Sequence, residues 1–185
     1  MSASDAIEKL WRRMLLVVGR GRITTGNDAG MVQTQQVQIG ELETRDNTKR
    51  VAEYGFTSMP LPGCHAVVIF VGGDRSNGVI IGTNDQNARM KNLQPGEVAI
   101  YDDQGQSVYI TRSGIVINGG GKPIEIENTP QITADTPLLR TTGDLLDNCN
   151  TNTVTVAHMR QTYNSHTHNE NNVAGGPTAT PNQSM

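Results

Sequence analysis

SVYITRSGIVINGGGKPIEIENTPQITADTPLLRTTGDLL, residues 107–146, is the stretch that decides how this chain folds. Short apolar triplets recur along it: Val108-Tyr-Ile, Ile115-Val-Ile, Ile124-Glu-Ile, Gln131-Ile-Thr, Pro137-Leu-Leu and Asp144-Leu-Leu. Clusters of Gly, Asn, Pro, Asp and Thr separate them, Asn118-Gly-Gly-Gly121 being the plainest. Steps of about seven to nine residues are too short for hairpins with long strands, but they suit one rung of a coiling β-structure. A single ribbon of this kind is too thin to bury its apolar faces. With roughly two or three inward residues per rung and almost no large side chains, the entropy lost on ordering exceeds the gain from burial. Three copies wound around one axis would give each rung a closed apolar interior and leave no free strand edges. The expectation is therefore a homotrimer, with a triple-stranded β-helix over residues 96–150.

Upstream, the pattern changes. Residues 1–19 read as a helix: Ser4-Asp5 can cap it, Ile7, Leu10, Trp11, Met14, Leu15 and Val18 recur at helical spacing, and Gly19 and Gly21 are expected to end it. Its apolar stripe packs either on its own domain or on a neighbouring subunit. Residues 20–95 read as β. Met31–Ile39 and Arg50–Phe56 alternate apolar and polar residues, while Ala66–Val71 and Gly78–Gly82 are apolar runs expected to be buried on both faces. Several short strands with Gly-rich turns make a small barrel. His65 reads as a core or turn histidine. The fold class is mainly β.

Composition narrows the function. The chain has 185 residues, a net charge of −3 and only 4% aromatic residues. A mildly acidic balance leaves no electrostatic footprint for nucleic acid. Cys64 and Cys149 match no zinc spacing and read as reduced thiols. The N-terminal apolar run lacks the basic start and cleavage site of a secretory signal.

Near the C-terminus stands NSHTHNE, residues 164–170, which places His166 and His168 at i and i+2. In an extended segment these side chains share a face. Three in-register chains would bring six imidazoles into two triangular layers, approximating an octahedron. Zinc prefers four ligands, and calcium and magnesium prefer oxygen. Six imidazole nitrogens suit Fe²⁺, with Ni²⁺ and Co²⁺ as chemical alternatives. A tapering tip has no room for an apolar core, and coordination is a compact way to tie three chains together. The apex is set at residues 151–185, with a polar tail from Asn169 to Met185 that is either disordered or wrapped against the tip.

The order of short helix, small barrel, repetitive β-ribbon and terminal His-Thr-His resembles the baseplate assembly protein V family of contractile-tailed phages over essentially the whole chain. Pro60-Leu-Pro-Gly63, the following VVIFVGGD (67–74) and SHTHNE (165–170) carry the likeness. The resemblance implies an oligonucleotide/oligosaccharide-binding-type (OB) barrel, a trimeric β-helix, and one Fe²⁺ per trimer held on the threefold axis by His166 and His168. Calcium elsewhere in the spike is also implied, with no ligands carried onto this chain. The implied role is the central membrane-piercing spike of the tail baseplate in the virion, made in the host cytoplasm. Its partners would be other baseplate and tail hub proteins, and the host outer membrane during ejection. The alternative is a trimeric receptor-binding fibre or tip, although such tips expose aromatics and none follows Tyr163.

Some relatives carry an inserted peptidoglycan-cleaving domain, for which this chain has no room. Glu125 and Glu127 alternate with isoleucines and read as a solvated face rather than an acid/base pair. Gly119-Gly-Gly lacks the Lys-Ser/Thr of a phosphate loop. A cupin-type metal enzyme needs an acid later than Glu170 and a third histidine downstream of His168, and neither is present. No catalytic activity is expected.

Overall fold

A computed structural model describes residues 3–168 and 176–181. The chain divides into two compact units, Met1–Glu125 and Ile126–Met185. Most of the polar tail expected to be disordered or wrapped lies outside the described residues.

The first unit opens with α1 (Ala3–Leu15), in which Ile7, Leu10, Trp11, Met14 and Leu15 lie along one side and no residue is buried. The helix stops at Leu15, so Gly19 and Gly21 do not end it; both lie within the first strand. A Cβ at Gly19 would stand 2.8 Å from the Phe70 ring, and one at Gly21 would stand 2.4 Å from the Gln38 carbonyl oxygen. These glycines admit the close approach of a packed ring and a neighbouring strand, a role that helix punctuation does not reveal.

Strands β1 (Val18–Asn27), β2 (Thr34–Ile39), β3 (Glu43–Arg50), β4 (His65–Phe70) and β5 (Gly78–Asn84) close into a barrel in the order β1-β2-β3-β5-β4. Every neighbouring pair is antiparallel except β3 and β5, which run parallel at Lys49↔Val79 and Arg50↔Ile80. A closed five-stranded barrel with such a crossover fits the OB-type expectation. Ile23, Val37, Cys64, Ala66, Val68, Phe70 and Ile80 form its core.

Two strand expectations change. Ala66, Val68 and Phe70 face inward, but Val67 is exposed between them, and in β5 only Ile80 is buried while Ile81 is exposed. A barrel has one inside, so alternate residues must face out even in an apolar run. Arg50–Phe56 is not a strand of its own: Arg50 ends β3, and Tyr54 and Phe56 lie exposed in the connection to β4. The strand precedes it as ETRDNTKR, whose single buried residue is Thr48, so no apolar alternation marks it. Arg75 secures this part of the barrel, with its guanidinium 4.0 Å from the Phe70 ring centroid and paired with both carboxylate oxygens of Glu43.

After the barrel come β6 (Val98–Tyr101), β7 (Ser107–Ile110) and β8 (Ile115–Asn118), an antiparallel meander. The first two triplets are thus hairpin strands within one chain. Asp102 accepts from the Gln104 and Gln106 amides to form one turn, and Thr111 and Gly114 close the next. In the second unit the described residues form no regular element before α2 (Val156–Ser165). Thr129, Thr136 and Thr141 each donate a side-chain hydrogen bond to the carbonyl two residues on, marking corners of the ribbon. Helix α2 falls inside the segment read as an apex and was not expected there. Thr155 caps it by accepting from the His158 amide at 3.2 Å, and Asp144 accepts from the Ala157 amide at 3.0 Å. The Asp144 carboxyl is held below its ordinary range chiefly by a side-chain hydrogen bond from Thr155, and also by the Ala157 and Leu145 amides.

Candidate functional site

The register of the β6–β8 sheet sorts its side chains by face. Val98, Ile110 and Ile115 lie opposite one another across the strands, as do Ile100, Val108 and Ile117. Residues paired in this way share a face, so six aliphatic side chains form two rows on one side of the sheet. All six are 40–69% exposed in the single chain. The other side carries Ala99, Tyr109 and Val116, and polar bonds tie down Tyr109 there. The Tyr109 hydroxyl donates to Glu97, whose carboxylate also accepts from the Gln94 amide at 2.8 Å and the Arg112 amide at 3.4 Å. That hydrogen bond from Tyr109 is the main reason the Glu97 carboxyl sits below, and the Tyr109 phenol above, its ordinary value.

Ile124 is 59% exposed, and in the second unit Ile126, Ile132, Leu138 and Leu139 are 64–70% exposed and Leu145 and Leu146 more than 40%. Exposed apolar side chains in such number are characteristic of interaction surfaces. Glu125 and Glu127 are exposed.

The two expected metal ligands do come together. His166 caps the C-terminus of α2 with extended backbone, and its ring centroid lies 5.1 Å from that of His168, the planes at 86°. Nδ1 of His166 lies 2.6 Å from the Tyr163 carbonyl oxygen. A carbonyl only accepts, so Nδ1 is the donor in this contact, and in a neutral ring with that tautomer Nε2 is the coordinating nitrogen. The Tyr163 ring lies 5.4 Å from the His166 ring. Thr178 fixes the backbone of His168 from both directions, its hydroxyl accepting from the His168 amide and its own amide donating to the His168 carbonyl, each at 2.8 Å. Tyr163 and Thr178 were not legible as parts of this site, since neither stands in a motif with the histidines.

Among the described residues, no group of three or more His, Cys, Asp or Glu could hold a metal. The described residues of one chain therefore bring two imidazoles together, a fragment of a transition-ion coordination sphere. His65 stands on β4 in the barrel, and His158 in the first turn of α2; neither joins the pair. Both cysteines are free, Cys64 buried and Cys149 exposed; burial, with Asp85 beside it, raises the Cys64 thiol above its ordinary value. No helix of the described residues is long and apolar enough to cross a membrane.

Known proteins share this chain's features. The family described as Bacteriophage Mu Gp45, N-terminal, matches residues 20–87, the barrel. The "Baseplate puncturing device gp45" of Escherichia phage Mu is 35% identical over 136 residues, covering 74% of this chain and 68% of that protein. The "Mu-like prophage FluMu protein gp45" of Haemophilus influenzae is 32% identical over 144 residues, covering 75% of this chain and 79% of that protein. With identity above 30% and most of each relative covered, from the barrel into the ribbon, the chain belongs to the Mu gp45 family of phage baseplate proteins.

Proposed function

We propose that this chain is a structural spike protein of a phage tail baseplate, working as a homotrimer that punctures the host outer membrane during ejection. Its relative in phage Mu is named a baseplate puncturing device, and the role is mechanical rather than catalytic. The observation that carries the trimer is the β6–β8 face. Six aliphatic side chains left about half exposed forgo on the order of 7 kcal/mol per chain of burial, a deficit that three copies closing on an axis remove. The exposed ribbon asks for the same closure, and the reading makes the segment after β8, to about residue 150, an intermolecular β-helix that follows an OB-type barrel and each chain's own β6–β8 meander.

At the tip, His166 and His168 from three chains would supply six nitrogens to one Fe²⁺ on the threefold axis. The contact between His166 Nδ1 and the Tyr163 carbonyl, which turns Nε2 of a neutral ring to coordination, supports this reading. Other baseplate and tail hub proteins would hold the barrel end, which places the protein in the virion. Light scattering combined with elemental analysis tests both parts. The expected result is three chains per particle and one metal per three chains. A monomer, or a ratio near one metal per chain, refutes the reading.

A further inference from the structure

We infer that α1 of three chains packs into a three-helix bundle, a second subunit interface apart from the β-ribbon. The inference rests on the trimeric reading above and names the occupant of a surface that reading leaves bare. Ile7, Leu10, Trp11, Met14 and Leu15 are 59–68% exposed, and no residue of α1 is buried against its own barrel. A 13-residue helix has little stability in water without a packed apolar face, so something covers it. Together these side chains present roughly 600 Å² per chain, at the upper end of the patches a monomer exposes and most of a partner's share of a standard interface.

The occupant follows from the width and chemistry of the stripe. At about 100° per residue, Leu10, Met14, Ile7, Trp11 and Leu15 span an arc of about 140°. That is wider than the seam of a two-stranded coil and suits a helix that touches two neighbours. The arc contains no charge. Glu8 and Arg12 satisfy each other across one turn on the polar side, at 3.6 Å. The matching surface must be equally uncharged and apolar, and two copies of the same stripe provide it.

Trp11 is the sole tryptophan in the chain, so the full-length protein, purified without other tail proteins, reports on this interface directly. Its emission should be blue-shifted and protected from acrylamide. In a Cys149→Ser background, Met14→Cys should be joined between chains by a short bis-maleimide, while Arg12→Cys on the polar side should not. Light scattering on each variant checks the assembly. A particle of trimer mass whose Trp11 is quenched like a free indole overturns the bundle and leaves the trimer standing. Equal cross-linking at both positions, or a shielded Trp11 without cross-linking at position 14, also overturns it. A monomeric mass overturns both readings.

Discussion

Truncating Ile117 to Ala tests the face assignment of the β6–β8 sheet. Ile117 is 61% exposed in the single chain and stands in the row with Ile100 and Val108. Losing about three buried carbons at ~0.8 kcal/mol each removes ~2.4 kcal/mol for full burial. Only the part buried on assembly counts, so the loss is about 1.5 kcal/mol per chain, or about 4.5 per trimer. At 1.4 kcal/mol per decade, the trimer dissociation constant should rise by about three decades. Val116→Ala is the control: its side chain is 51% exposed and lies on the opposite face, opposite Tyr109. Light scattering across a dilution series should show the Ile117 variant dissociating at higher concentration than wild type, with the Val116 variant close to wild type. Equal shifts for both variants, or a larger one for Val116→Ala, would refute the reasoning, because the aliphatic rows would not then face the axis.

Three further outcomes are expected. Changing both His166 and His168 to Ala should abolish bound metal by elemental analysis yet leave the trimer mass intact; full metal retention would place the ligands elsewhere. Gly21→Ala should destabilise the barrel by roughly 1–3 kcal/mol in denaturant unfolding, because the added Cβ would meet the Gln38 carbonyl oxygen at 2.4 Å and Val37 Cγ1 at 2.6 Å. The Glu43 carboxyl is held below its ordinary value, chiefly by its hydrogen bond to Arg75. Its contribution is therefore present above the unfolded-state value and lost as pH falls through the folded one. Glu43→Gln should flatten that acid limb in thermal unfolding followed against pH; an unchanged profile would mean the pair does not contribute.

Several conclusions needed only the order of residues. Apolar triplets from Val108 to Leu146, separated by turn formers, cannot bury themselves in one chain, and their exposure in the structure has the same cause. The adjacency of His166 and His168 was legible because side-chain period is a local property of the backbone. The barrel's existence was legible for the same reason, as its apolar runs and Gly-rich turns are local signals. Strand β3 was not, because ETRDNTKR owes its strand state to ladders with β2 and β5 rather than to any alternation of its own. Gly19 and Gly21 read as a helix stop until the folded barrel brought Phe70 and Gln38 against them. Only the tertiary structure could decide which side chains of β6–β8 share a face, that the Tyr163 carbonyl meets Nδ1 of His166, and that Thr178 holds His168 in place. Each of these depends on groups brought together by the folded backbone, and linear spacing carries no record of such contacts.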